Sequence, residues 1–483
     1  MRQRFELQLS IGQTPISEIY INPKSKNALD QLIAALKEIY CNKEYNDKIF
    51  SIIEKYLPTV DNNGRPGMNL WTIFVLSQVR LCLGASYDTL HNLSNNHLLL
   101  RKLLGISDIF GEEPITFEYQ NIYDNVSKLS DSMLKELNDV IVEFGHREVF
   151  KKKETTALRL KTDSFVVESN VHFPTDYNLL YDCSRKCLDT VCYFLVKYPQ
   201  IEGWRKQLNW RSELKNLMRS VGRISSGGGK NKAEKLQKTT ESYLAKNRLL
   251  LHKIQSEKGN FPLRTIKDLA QHIALEYYIS LLIKHIDLVD RRIIKGETIP
   301  HAEKMMSIFE TYTEWVVKGK SRPSVEFGKK LSITSDQFDL IVYYKIMDNE
   351  QDRDIVVEIA DNVLNKYKLI DSMSFDKGHW NAENRALLEL EIPRVILPKL
   401  GKCNIQEKEI ENSKSFKHLK NKHSAVESNI NELEHRGLDR CPDRTYPHFK
   451  TYIALGICAY NLKKIGKKIL KNQLKEKPLQ RAA

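Results

Sequence analysis

The chain has 483 residues, too many for one ordinary domain and enough for about three. Its 41% hydrophobic and 28% charged residues are the composition of a folded globular protein, which excludes disorder over long stretches. Lysine and arginine number 75 against 61 acids, a surplus of 14 that suits a polyanionic partner, nucleic acid being the commonest.

Residues 1–150 read as helical. Leu29, Leu32, Ile33, Leu36 and Ile39 recur at helical spacing within 27–40. Residues 62–67 read as a loop, and an apolar helix follows over 69–83. Gly84 stops it, Ser86 caps the next helix through Leu90, and a further short helix covers 98–104. Three short helices about a glycine turn fit a helix-turn-helix DNA reader, and a plain bundle nearly as well; 1–150 is therefore expected to be a helical DNA-binding region. Residues 159–168 are β-branched in their second half and read as a strand, with Asp163 inside it.

From Asp176 the pattern is helical for over a hundred residues, and 178–300 is expected to be a helical insertion. Its clearest piece is 204–223. Arg211, Lys215, Arg219 and Arg223 recur every fourth residue as one basic stripe, with Glu213 the lone acid of 205–223, which favours DNA contact. Leu208, Leu214, Leu217, Met218 and Val221 supply apolar surface elsewhere on that helix. Residues 225–229 form a flexible turn before a long returning helix over 232–258. Strands resume over 324–333 and 337–347, followed by an amphipathic helix over 352–367. Then come a strand over 369–375 ending at Asp376, a short helix capped by Asn381, a strand over 394–397, and a helix over 414–436 closed by Gly437. This order predicts an α/β domain made of 151–177 and 301–475, with one large insertion.

Eight cysteines form no C-x-x-C pair, and no histidines complete a metal site around Cys183, Cys187 and Cys192, so reduced thiols are expected. The first ten residues are polar rather than a signal sequence. The longest apolar run, 452–460, is too short to span a bilayer. A cytoplasmic protein with no membrane partner is expected.

Three acids sit where a metal site would want them: Asp163 inside a strand, Asp376 at a strand end, and Glu427 beside Val426 at the edge of the stripe Phe416, Leu419, Val426, Ile430 and Leu433. Any one acid is more often a surface carboxylate, but an aspartate within a β-branched strand is costly to bury unpaired. Oxygen ligands of this kind suit Mg²⁺ or Mn²⁺. Two such ions, roughly 3.5–4 Å apart, could act together in phosphodiester cleavage.

The chain resembles the transposases of bacterial insertion sequences, close to the group called ISNCY. The blocks that carry the resemblance run in order over most of 60–470: Gly64-Arg-Pro-Gly67, Thr162-Asp-Ser-Phe-Val-Val-Glu-Ser-Asn170, and His172-Phe-Pro-Thr-Asp-Tyr-Asn-Leu-Leu180. His301-Ala-Glu-Lys304, Lys318-Gly-Lys320 with Glu326 and Gly328, Ser374-Phe-Asp-Lys-Gly378 and Val395-Ile-Leu-Pro-Lys399 follow. The most specific block runs from His423-Ser-Ala-Val-Glu-Ser-Asn-Ile-Asn431 through Glu434-His-Arg-Gly-Leu-Asp-Arg-Cys441. The resemblance implies an RNase-H-like catalytic domain, with Asp163, Asp376 and Glu427 as catalytic and metal-binding residues. It implies cleavage at the terminal inverted repeats of a mobile element and transfer of the freed 3′-hydroxyl into target DNA. It also implies a homodimer on DNA, in a bacterial, nucleoid-associated setting. A repurposed DNA-binding protein and a nuclease without strand transfer are the alternatives.

Related enzymes often carry Y-x2-R-x3-E-x6-K around the helix glutamate, whereas Lys420, His423 and Glu434 stand at those positions here. Arg436 and Arg440 lie nearby for phosphate contact, and Glu432 and Glu434 are second choices for the helix acid. Lys318, Lys320 and Lys377 are candidate phosphate contacts beside the acids. His379 and Trp380 could stack on a displaced base, with core packing favoured for Trp380, as for Trp204 and Trp210. The lysines at 463, 464, 467, 468 and 471 fit either a solvated helix end or a second DNA contact.

Overall fold

A computed structural model describes residues 4–5, 14–57, 67–106, 115–204, 207–317 and 325–476. The candidate contacts Lys318 and Lys320, and most of the 62–67 loop, lie outside the described residues. The chain divides into two compact units, one made of 1–170 and 314–483, the other of 171–313.

In the first unit, helices α1 (Ala28–Cys41), α2 (Lys43–Tyr56), α3 (Leu70–Cys82), α4 (Tyr87–Asn96), α5 (Leu98–Leu103), α6 (Tyr119–Val126) and α7 (Asp131–Phe144) lead into strand β1 (Leu158–Glu168). Side chains of Asn27, Asn42, Asn69, Ser86 and Ser130 cap five of them, each accepting a backbone N–H of the first turn. The second unit holds α8 (Asp176–Lys197), α9 (Gln207–Ser226), α10 (Lys232–Glu257) and α11 (Ile266–Val289). The first unit then resumes with β2 (Glu314–Val317), β3 (Val325–Ser335), β4 (Ile341–Ile346), α12 (Val356–Lys366), β5 (Ile370–Phe375), α13 (Ala382–Glu391) and β6 (Arg394–Ile396). It ends with α14 (Ile405–Asn412), α15 (Lys414–Leu433) and α16 (Tyr446–Glu476).

The six strands form one mixed sheet, so the protein is of the α/β class with helix predominating. β1 is central, antiparallel to β3 and parallel to β5; β3 also pairs antiparallel with β2 and β4, and β5 pairs parallel with β6. Helical crossovers α12 and α13 lead to the two parallel strands, as parallel pairing requires. The close approach of β3 to β1 depends on Gly328. A Cβ there would sit 2.0 Å from the Val167 carbonyl oxygen, which no side chain tolerates.

Four expectations need correcting. First, the N-terminal helices share one compact unit with the sheet, because α16 packs along α1, α3 and α7. The run at 452–460 is buried in this way, and Asn461 ties helices to sheet. Its Oδ1 accepts from the Ile341 amide at 2.8 Å, and its Nδ2 donates to Asn138 Oδ1 at 2.8 Å. Second, the inserted unit spans 171–313 rather than 178–300. Third, the sheet has a strand that was not expected, β2, only four residues long. Fourth, 352–367 is not one helix: a separate 3-10 turn, Asp352–Asp354, precedes α12.

The helix-turn-helix reading also fares poorly in its first helix. Every residue of α3 is buried, so α3 presents no face to DNA. Helix α4 carries no lysine or arginine, and Arg101 of α5 is buried, donating to the Ile115 carbonyl at 3.0 Å. No disulfide joins any of the eight cysteines, and no helix among the described residues is long and apolar enough to cross a membrane.

Candidate active site

Strand register brings the first two acids together. Thr162 pairs with Phe375 across the parallel β1–β5 ladder, so Asp163 and Asp376, the latter just past the end of β5, are the next residues along and lie side by side. Alternation along β1 puts Arg159, Lys161 and Asp163 on one face and Leu160, Thr162 and Ser164 on the other. The first face is the one α15 covers. Asn429 donates to Ser335 Oγ at 3.1 Å, and His423 Nδ1 lies 3.0 Å from Ser374 Oγ; both serines pair in register with Lys161. Val426 and Ile430 are buried in the contact, which fixes the rotation of α15 and leaves Glu427 exposed beside them. Gly437 turns the chain after α15 at φ +102°, and a Cβ there would meet the Tyr452 hydroxyl at 2.6 Å.

Asp163 is half-buried, and its carboxyl is pushed up to about 7. Burial is the main cause; the charges of Asp376, Asp352 and Glu427 add to it, against one opposing hydrogen bond from the Ser164 amide at 2.7 Å. The three expected acids therefore act on one another, with a fourth that sequence reading missed. Asp352 accepts from Ser164 Oγ at 2.6 Å and pairs with Lys330 at 3.1 Å, reaching the opposite face of β1. Burial alone would raise its pKa, but Ser164, His379 and Lys330 outweigh it and hold it below the usual range.

The acids nevertheless do not close into a ready cage. Among the described residues, no group of three or more histidine, cysteine, aspartate and glutamate side chains stands close enough to hold a metal ion. The donor chemistry does suit a hard cation: two adjacent carboxylates, a third on the covering helix, and an aspartate whose ionised form is compensated only by the Ser164 amide. Mg²⁺ commonly takes only one or two carboxylates, the remaining ligands being water and phosphate oxygens.

Two histidines complete the surroundings. His423 stands where the transposases that the sequence resembles often carry an arginine; burial pushes its imidazole down to about 4, so it is neutral at pH 7 and supplies no cation. His379 is buried against Phe375, with neither ring nitrogen hydrogen-bonded among the described residues, and so cannot stack on a displaced base as expected. The turn Lys377–His379 directs it inward while Lys377 stays exposed beside Asp376. Trp380 is half-buried under the Arg385 guanidinium, and Trp204 and Trp210 pack in the second unit's core, as anticipated.

The remaining candidates scatter. Arg440 forms a bridge with Glu168, five residues along β1 from Asp163 and about 16 Å away. Arg436 lies where its backbone passes Gly84. Glu432 is not an alternative helix acid, because Lys463 and Lys464 of α16 pair with it; those two lysines are thereby removed from the basic tail. In the second unit, Lys215, Arg219 and Arg223 are exposed, and their side chains make no hydrogen bond or ion pair among the described residues. Arg211 is neutralised by Asp189 of α8 at 2.9 Å, an acid outside the helix whose charge balance had been weighed. Leu208, expected to be part of the apolar surface, is 70% exposed. The chain matches no protein-family model, no curated protein and no solved structure.

Proposed function

We propose that this chain is a DNA strand-cleaving and strand-joining enzyme, a transposase of the insertion-sequence type whose sheet unit is an RNase-H-like catalytic domain. The observation that carries this reading is the Asp163–Asp376 pair on adjacent parallel strands, beneath the helix bearing Glu427. The element order supports it: a first strand followed by a large insertion, antiparallel strands, then two parallel strands with a covering helix. So does the surplus of 14 basic residues.

Asp163 and Asp376, with Glu427, would hold Mg²⁺ or Mn²⁺, one or two ions. Bound there, such ions supply Lewis-acid polarisation of a phosphodiester and neutralise its developing charge. The chain's own residues do the rest. Lys377, exposed beside Asp376, meets a phosphate oxygen and helps orient the scissile bond. Buried Val426 and Ile430 hold Glu427 in place over β1. In the first step water attacks phosphorus and the element's 3′-oxygen leaves. In the second, that 3′-hydroxyl attacks a target phosphodiester, forming one P–O bond as another breaks. Two DNA ends must be held together, so a homodimer assembles on DNA.

The test is Mg²⁺-dependent nicking and joining of a duplex carrying the ends of the DNA element that encodes the chain. Glu427→Gln is expected to slow nicking by at least about 100-fold, since several kcal/mol of charge stabilisation is removed. Glu432→Gln should nick at the wild-type rate. Equal losses in both would remove Glu427 from the site. Nicks without joined product would indicate a nuclease, and end binding without nicks a repurposed DNA-binding protein.

For α9, the combined variant Lys215→Glu/Arg219→Glu/Arg223→Glu is expected to weaken DNA binding. Each lost phosphate contact flattens the plot of log affinity against log salt by about 0.9, so the slope should fall by about 3. Anisotropy titrations at several salt concentrations measure it, and an unchanged slope removes α9 from the interface.

A further inference from the structure

Along its α15 face, β1 presents Asp163, Lys161 and Arg159 in succession, about 6.6 Å apart per step. Lys161 pairs in register with Ser374, one step before the Asp163–Asp376 pair. Beneath α15 at this point opens a cleft of about 360 Å³, lined by Arg159, Lys161, Ser374, Asn421, Lys422 and Ser428, among others. This volume lies within the range that accepts a small organic ligand. Its charge is cationic. The carboxylate of Asp339, which also lines it, is spent on Lys161 at 3.0 Å. Arg159 and Lys422 are exposed, and neither side chain has an ion pair among the described residues. Leu419 and Ala425 add an apolar wall to the cleft.

We propose that this cleft is a nucleotide subsite. It holds the phosphate and sugar of the DNA strand one or two nucleotides from the phosphodiester at Asp163 and Asp376. The assignment rests on the DNA-cleaving reading above and deepens it. Arg159 and Lys422 take the phosphate charge, Asn421 and Ser428 donate to its oxygens or to the sugar, and the apolar wall covers the sugar's carbon face. Because β1 runs from Arg159 through Lys161 to Asp163, a strand seated in the cleft is led directly to the acids.

The probe is thymidine 5′-monophosphate, with thymidine and inorganic phosphate as controls. Binding to the full-length chain is read by saturation-transfer NMR in EDTA, so that no cleavage occurs. Wild type should bind the nucleotide more tightly than either control. Arg159→Glu/Lys422→Glu should weaken it about tenfold, the loss of one charged hydrogen bond or more. Arg159→Gln/Lys422→Gln guards against misfolding in the charge-reversed variant and should show a smaller loss, with an unchanged circular-dichroism melt. Lys235→Glu/Lys238→Glu, two exposed lysines in the other unit, should bind as wild type does. Unchanged binding in both cleft variants overturns the subsite, even if Asp376→Ala abolishes nicking. Inorganic phosphate binding as well as the nucleotide overturns it too, leaving a simple anion site. Nucleotide binding that depends on Arg159 and Lys422 in a chain that never nicks DNA supports the subsite and removes the cleavage reading alone.

Discussion

Asp163→Asn is expected to abolish DNA nicking, by about 10³-fold or more, while making the folded protein more stable in metal-free buffer at pH 8. Both effects have one cause. Asp163 is held half-buried between β3 and β5 and feels three other carboxylates, which lifts its pKa from the usual 3.8 to about 7. A carboxyl whose folded pKa is raised favours the fold in its protonated form. Its ionisation therefore takes stability away as pH rises from about 4 to about 7, and the full penalty is present above that. Asparagine keeps the shape and removes the charge, so it relieves a penalty on the order of 2–4 kcal/mol at pH 8. Denaturant midpoints from pH 4 to pH 8 measure this. The wild-type curve should fall with pH relative to the variant, and the two should converge near pH 4. A variant less stable than wild type at pH 8 would mean that Asp163 has a structural partner and is not a frustrated ligand. Loss of activity with gain of stability is the pattern of a residue kept for chemistry.

The second large effect concerns stability alone. Asp336→Ala is expected to destabilise the first unit by about 3–5 kcal/mol, because removing one partner of a buried pair strands the other. Asp336 is fully buried and accepts from His146 Nε2 at 2.5 Å and from the amides of Phe338 and Leu340 at 2.8 and 3.0 Å. One carboxylate thus joins the end of α7 to the β3–β4 turn, and its loss orphans three donors. The denaturant midpoint of the variant checks this, and Asp336→Asn should recover part of the loss. A midpoint within about 1 kcal/mol of wild type would mean that water replaces the carboxylate.

The parts of the site carried by local pattern were legible in the sequence. Asp163 stood out because it lies inside a strand whose second half is β-branched, and Asp376 because it ends one. The apolar stripe of α15 was readable at helical spacing, and with it the edge position of Glu427. What could not be read depends on residues distant in sequence. Asp352 looked like the start of an amphipathic helix. Its role comes from Ser164, 188 positions away, and from Lys330 on the neighbouring strand. Glu432 stood as a second choice to Glu427 until Lys463 and Lys464 arrived from α16. Arg211 belonged to a basic stripe until Asp189 neutralised it from α8. The burial of α3 followed from the packing of α16, nearly four hundred residues later in the chain. Strand β2 was too short for its alternation to register as a pattern.

The most direct test of the proposed metal-dependent strand chemistry is Mg²⁺-dependent nicking of a labelled duplex carrying the element's end, comparing wild type with Asp376→Ala. Asp376 is exposed at the end of β5, so alanine leaves the fold intact and removes one of the two adjacent carboxylates. A nick at the element boundary in wild type, absent in a folded, end-binding Asp376→Ala protein, is the expected result. Equal nicking by both proteins, or none by a folded wild type that binds the end, would contradict it.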